Sequence, residues 1–430
     1  MRILVLGAAV SGRAAARLAR ATGNEVIVYD RRAEALEGLD DGIEVLAGEW
    51  QRSALAGIDS VVSSPGFPEH VGPISDILAA GLPLVSEMEY AVSMMDARYA
   101  AVTGTNGKTT VTSVAADMLV SSGVDAIAAG NIGTALSDVA RNAPDVVVIE
   151  ASSFQLRFID RFHPEAAALL NIAPDHLDWH HDLGEYIAAK QRIFENQTSS
   201  DLLVFDADDA GASAAVAAAP SRLVPVSGAY QPDGGYGPEE NTLVLADGVI
   251  ARPDLDRAYT MDLVAAAAIA SHLGATLDGI EQTVSTFAPG VHRRSPVGTW
   301  GDVTWVNDSK ATNPHAAVAS VEAFSSVVLI AGGRNKGLDL APIVVAPTVR
   351  LVIGLGEAAS ELETATDPDR YRAAATLRDA IAIADVEAVS GDTVLLAPGC
   401  ASFDMFDSYA ERGDEFARLV RERKGRSDGN

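Results

Sequence analysis

The sequence predicts an α/β protein of three domains, each built on a mostly parallel sheet. Three observations carry this reading. Short β-like apolar runs alternate with helix-compatible stretches in three successive blocks, the pattern of parallel strands joined by crossover helices. Two runs of the middle block, "DVVVIEASS" and "AAALLNIAPDH", are apolar along the strand and turn polar at the end. That block also opens with a strand, a glycine-rich loop and a helix, "YAAVTG-TNGKTT-VTSVAADML". At 430 residues the chain exceeds one ordinary core and fits two or three domains.

Residues 1–93 form the first block. Strand "RILVLG" runs into helix-like "GRAAARLARAT" and strand "EVIVYD", and "SVVSSPG" and "LPLVSEME" follow. Gly7, Gly12 and Asp30 mimic a dinucleotide fingerprint, but "GAAVSG" is not G-x-G-x-x-G. The block therefore reads as a Rossmann-like domain, and an NAD(P)-binding oxidoreductase stays open as one reading of it. Residues 94–290 form the central block. Ligands in open α/β sheets sit beyond the carboxyl ends of strands, so its polar strand ends are where chemistry is expected. Residues 207–258 are rich in Ala, Pro, Gly and Asp, and "GAYQPDGGYGPEEN" within them reads as loop. Residues 291–430 alternate again, through "VTWVNDS", "SVVLIAGG", "VRLVIGLG" and "DTVLLAPGC", and predict a second Rossmann-like domain. Pro289 and Gly290 break the helical pattern before it and mark a hinge.

Composition narrows the function. A formal charge of −27 argues against a nucleic-acid partner, which needs a basic face. It fits a strongly acidic surface of the kind used in salty cytoplasm. No run approaches the about 18 apolar residues that span a bilayer, so no membrane role is expected. The opening run "MRILVLG" is too short for a signal peptide, and a single cysteine, Cys400, suits a reducing compartment. A cytoplasmic monomer is the expectation. Only five of 32 basic residues are lysines, namely Lys108, Lys190, Lys310, Lys336 and Lys424. Lysine differs from arginine as a compact point charge whose amine can be deprotonated. Four of the five fall in glycine-rich or polar motifs, so they are candidates for chemistry.

The loop comes next. The general phosphate loop is Gly, four residues, Gly-Lys-Ser/Thr, and here Val102 stands where the first glycine belongs. The context is otherwise right. Backbone N–H groups over Gly104, Thr105, Asn106, Gly107 and Lys108 can face phosphate oxygens, with a helix N-terminus behind them. Lys108 would reach β- and γ-phosphates, and Thr109 or Thr110 could ligate Mg²⁺. This makes the central block a P-loop ATPase domain.

"GTNGKTT" resembles the ATP loop of the Mur ligase and folylpolyglutamate synthetase superfamily. "EASSFQL", "NIAPDHLDWH", "AAKQRIF", "NDSKATNP" and "APGCASFDMF" occur in order after it, and together resemble the D-glutamate-adding branch of the Mur ligases over essentially all 430 residues. The resemblance implies an ATP-dependent amide ligase of peptidoglycan precursor synthesis. Its small-molecule substrates would be ATP, D-glutamate and UDP-N-acetylmuramoyl-L-alanine (UDP-MurNAc-L-Ala). Activating a carboxylate as an acyl phosphate brings anions together, so Mg²⁺ and fixed cations are needed. Glu150, ending an apolar strand, suits an oxygen-seeking Mg²⁺. The resemblance implies His176 at a second Mg²⁺, and Lys190 carbamylated by CO₂ to support that metal. His180 and His181 receive no role.

By the same resemblance, Arg293, Asp308 and Lys310 contact ATP and close the third block over it. Thr312, Lys336, Ser402 and Tyr409 hold the amino acid. Val10, Ser11, Asp30, Arg31 and Ser64, with Asn131 and Ser152, hold the UDP substrate. Cys400 reads as a small buried residue, because the ATP route needs no thiolate. Three departures stand out. Ser295 replaces a glutamate in "HRRS", and Tyr259 and Asp262 replace asparagines on the adenine side. Asp262 can still accept from the adenine amino group. A related ligase with another acceptor or amino acid is the alternative.

Overall fold

The computed structural model describes residues 1–70, 72–177 and 179–427. Its strands follow the predicted alternation. In the first block β1 (Arg2–Leu6), β2 (Glu25–Asp30), β3 (Glu44–Ala47), β4 (Ser60–Ser63) and β5 (Leu84–Ser86) form one parallel sheet in the order β3-β2-β1-β4-β5. The order reverses beside β1, which creates the crevice where such sheets bind ligands.

The central sheet is also parallel. It comprises β6 (Arg98–Thr103), β7 (Ala126–Gly130), β8 (Val146–Glu150), β9 (Ala166–Leu169), β10 (Leu202–Asp206) and β11 (Arg222–Val226). Their order is β11-β10-β9-β6-β8-β7, so β6, which feeds the glycine loop, lies between β9 and β8. Strands β8 and β9 are buried at every position, which explains their unbroken apolar runs. The Ala/Pro/Gly-rich stretch is not only loop. It holds a small antiparallel sheet of β12 (Gly237–Glu239), β13 (Thr242–Leu245) and β14 (Gly248–Ala251). Such short strands, bordered by turn residues, lack the length for a clear period in the sequence.

The last sheet contains β15 (Ser295–Trp300), β16 (Val303–Asn307), β17 (Val327–Gly332), β18 (Val349–Leu355), β19 (Tyr371–Ala373) and β20 (Thr393–Leu396). Its order is β15-β16-β20-β17-β18-β19, parallel except for the β15–β16 hairpin. Two apolar layers cover it. Val306, Leu329, Val352 and Leu395 face one, and Trp305, Val328, Ile330, Ile353 and Val394 face the other.

The chain divides into two compact units. The first holds Met1–Ile172 and Trp179–Thr286, and thus the first two large sheets. The second holds the chain from Phe287 onward, together with the short segment that begins at Ala173. The division after Thr286 falls beside the predicted Pro289–Gly290 break. The capture of the Ala173 segment by the second unit had no signal in the sequence.

Candidate active site

In the first unit, β6 ends at Thr103 and the helix Lys108–Ser121 begins four residues after Gly104. Gly107 is the N-cap of that helix, at φ +83, and a Cβ there would lie 2.6 Å from Asp262 Oδ1. Only glycine fits that left-handed, crowded position. Two amides of the loop are already engaged. Thr105 N–H donates to Asn171 O at 3.0 Å, and Asn106 N–H to Asn171 Oδ1 at 2.8 Å. This narrows the predicted phosphate cradle. The amides of Thr109 and Thr110, in the first helical turn, have no intrahelical acceptor and remain suited to an anion. Lys108 Nζ donates to the carbonyls of Gly104 and Thr105, both at 2.8 Å, so its ammonium folds over the loop.

Glu150 closes β8 in register with Val102, just before the loop. It is buried; Oε1 accepts from Asn131 Nδ2 at 2.8 Å, and Oε2 has no hydrogen-bond partner among the described residues. A buried carboxylate oxygen left unsatisfied is costly and calls for a cation. A hard, oxygen-preferring Mg²⁺ fits it. Lys190 is also buried, donating from Nζ to Gly104 O at 2.7 Å. Asp262 and Tyr259, the two adenine-side departures, are both buried on the helix Arg257–Leu273, with Asp262 against the loop glycine.

The first sheet presents its own crevice. A Cβ on Gly12 would lie 1.8 Å from Gly7 O, so the glycine pair is a close backbone approach. Ser64 Oγ is buried beside both glycines, without a hydrogen-bond partner among the described residues. Val10 is exposed and Ser11 half-buried at the start of the first helix. Asp30 accepts from the amides of Ala8 and Arg32 at 2.9 and 3.0 Å, which ties the glycine turn to β2. Arg31 pairs at the surface with Glu49. Ser152 is occupied structurally, closing a capping box with Gln155 at the helix Ser153–Leu156.

In the second unit, His176 sits at φ +54 and belongs with Asp175, Asn313 and Lys336. Lys336 Nζ donates to Asp175 Oδ1 at 2.8 Å and Asn313 Nδ2 to Oδ2 at 3.1 Å. Burial alone would raise the Asp175 carboxyl, but His176, Lys336 and the Asn313 hydrogen bond outweigh it and hold it below the ordinary range. Asp308 goes the other way. Burial raises it, against the Ser320 hydroxyl and the Arg294 and Arg293 guanidiniums. The turn around Arg293 is strained, with His292 at φ +61 and Arg294 at φ +49, a backbone state that clusters at functional sites. Ser295 follows it, its hydroxyl donating to Gly290 O at 3.3 Å. Lys310 Nζ lies 3.8 Å over the Tyr409 ring, and Thr312 N–H bonds Lys310 O. Ser402 is buried and its carbonyl turns the chain back at Met405 and Phe406. Burial pushes the Cys400 thiol up to about 12, as expected for an inert residue.

Sequence reasoning thus located the loop and its lysine but assigned nothing to Asn171, Asp175, Asn313 or Tyr186. Asn171 and Asp175 lie inside the quoted "NIAPDHLDWH", and the polar end of an apolar strand was the available signal. Glu150 and Lys190 lie in the first unit and His176 in the second.

Three large, mostly parallel sheets, with a glycine–lysine loop joining a buried strand to a helix N-terminus, define a multidomain α/β protein. Family models agree along the chain. The MurD-like N-terminal domain matches residues 1–86, the Mur ligase middle domain 102–231 and the Mur ligase glutamate ligase domain 292–400. The chain belongs to the Mur ligase family. The UDP-N-acetylmuramoylalanine–D-glutamate ligase of Salinibacter ruber is 41% identical over 450 residues, 97% of each chain. That of Desulfitobacterium hafniense is 38% identical over 444 residues, covering 98% of this chain and 97% of its own. Among solved structures, the pseudomurein peptide ligase type C of Methanothermus fervidus matches with a TM-score of 0.63 at 18% identity, over 98% of this chain and 99% of its own. MurF of Acinetobacter baumannii gives 0.62 at 16%, over 97% and 93%. These two likenesses speak for the fold. Among the described residues no helix is long and apolar enough to cross a membrane.

Proposed function

We propose that this chain is an ATP-dependent ligase that joins D-glutamate to UDP-MurNAc-L-Ala through an acyl phosphate, in peptidoglycan precursor synthesis. The full-length relatives named for that reaction support the substrates. The single structural observation that carries the chemistry is Glu150, a buried carboxylate with one unsatisfied oxygen at the root of the glycine loop. Domains at residues 1–93, 94–290 and 291–430 would take the UDP substrate, ATP and the amino acid in turn.

The residues divide the work by charge. The first-turn amides of the loop helix and Lys108 would hold the ATP phosphates, Lys108 exchanging loop carbonyls for phosphate oxygens. Asp262 would accept from the adenine amino group. Glu150 and Thr109 would hold one Mg²⁺, and His176 with Lys190 as its carbamate would serve a second. Bound there, Mg²⁺ would neutralise the phosphates and the acceptor carboxylate so that the two anions can meet. Ser64 and the Gly7–Gly12 turn would bind the UDP portion. Lys336, already seated on a carboxylate, would receive a carboxylate of glutamate, beside Thr312 and Ser402. Arg293, Asp308 and Lys310, the last braced by Tyr409, would serve ATP. We read the enzyme as a cytoplasmic monomer.

An ATPase assay tests this. Phosphate release should require UDP-MurNAc-L-Ala and D-glutamate together, and L-glutamate should not substitute. Release that ignores the UDP substrate, or that treats both glutamate enantiomers alike, would overturn the assignment.

A further inference from the structure

The helix Leu183–Gln191 does more than carry Lys190. Tyr186 lies one turn before Lys190, and this i, i+4 spacing puts both side chains on one face. Both are 1% exposed. From that face they grip two consecutive residues of the glycine loop. Lys190 Nζ donates to Gly104 O at 2.7 Å, and the Tyr186 hydroxyl shares a hydrogen bond with Thr105 Oγ1 at 3.0 Å. The pair also touches itself, Lys190 Nζ lying 4.5 Å from the Tyr186 ring centroid. The ring is braced from behind. His180 meets it edge-on at 5.3 Å and is itself held by Ser153 Oγ at 2.9 Å.

We propose that Tyr186 is a positioning residue, tying the nucleotide loop to Lys190 so that loop geometry and lysine placement change together. This rests on the reading above in one respect, that Lys190 works at the ligase centre. The physical logic is that each part of Tyr186 has its own task. The hydroxyl fixes Thr105 and hence the loop that receives phosphate. The ring supplies the surface on which the Lys190 stem packs, and this packing positions the end of the side chain whether it carries the amine or the carbamate. Neither task brings Tyr186 into contact with substrate.

The two tasks separate experimentally. Tyr186→Phe keeps the ring and deletes the hydroxyl, while Tyr186→Leu deletes both. With the full-length enzyme, affinity for a fluorescent ATP analogue is measured without acceptor or amino acid, and then KM for ATP and kcat. Tyr186→Phe should weaken nucleotide affinity by about 2–10-fold, the range for one neutral hydrogen bond, with kcat at saturating ATP falling less than affinity does. Tyr186→Leu should show the same affinity loss and a kcat at least about tenfold below that of Tyr186→Phe. A purely structural tyrosine would instead lower the melting temperature in both variants and leave this split absent. The proposal is overturned if the folded Phe variant binds nucleotide as tightly as the parent. It is also overturned if the Phe and Leu variants share one kcat, and a Leu variant that does not fold leaves the Phe result to decide. The binding measurement needs no D-glutamate, so its failure is distinct from a failure of the ligase assignment.

Discussion

The two candidate constellations are built by different physics. In the first unit the glycine loop is a backbone object. A left-handed Gly107 and a helix N-terminus create its properties within a few residues of chain, and Asn171, 65 positions on, pins two of its amides. In the second unit the Asp175 cluster is a charge object. Its central ion pair joins residues 161 positions apart, and each member is ordinary without the other. Backbone sites tolerate few residue types and so leave a signature. Charge sites need only an opposite partner at the right place, which many sequences can supply.

The sharpest way to break this contrast is at Lys108. If the loop is a nucleotide cradle with one mobile cation, Lys108→Ala should lower ATP turnover by about 10²–10³-fold, the scale for removing one preorganised charge donor. The UDP substrate should bind within about twofold of the parent by calorimetry, because its predicted contacts lie near Asp30 and Ser64. Comparable loss of both affinities would mean that the loop is not a separate nucleotide site.

Lys336 tests the charge-built half. Lys336→Met removes the cation and keeps the stem, leaving Asp175 buried beside His176 and Asn313. Because Lys336 is partly exposed, the stability loss should be about 1–3 kcal/mol, below the cost of breaking a fully buried pair. The KM for the amino acid should rise by about tenfold or more. The pH dependence has a definite sign. Asp175 is held below its ordinary value when folded, so its contribution is full above about pH 4 and is lost as pH falls through the lowered value. The Met variant should therefore show a shallower acid loss of stability than the parent. An unchanged acid limb would mean that the ion pair does not form in solution.

The same contrast explains what the sequence disclosed. The three sheets were legible because fully buried parallel strands leave long apolar runs between helices, as in "DVVVIE" and "SVVLIAGG". The loop was legible because Gly107 has no substitute. Glu150 was legible because it ends such a strand. Asn171, Asp175 and Tyr186 were not, because their partners are fixed only when distant segments pack. The β12–β14 sheet was missed for another reason, its strands being too short and too rich in glycine and proline for a period to show.

The smallest expected effect asks whether the backbone-built unit also carries a charge-dependent element. Asp206 ends β10 on the same sheet as the loop. Burial raises its carboxyl to about 6, with the Asp208 amide opposing and the Asp208 and Asp209 carboxylates adding to the rise. An acid raised in the folded state favours folding most below its unfolded value, near pH 4, and that contribution disappears as pH climbs through about 6. At pH 8 the parent therefore holds a carboxylate that its surroundings disfavour. Asp206→Asn keeps an oxygen for the Asp208 amide, bonded at 2.9 Å, and removes the charge. It should stabilise the protein by about 1–2 kcal/mol at pH 8, less than the full shift implies because Asp208 and Asp209 can relax. Near pH 4 parent and variant should unfold together, since Asp206 is then protonated in both folded and much of the unfolded chain. Denaturant unfolding at the two pH values measures the difference, and equal gaps at both would show that Asp206 is not raised.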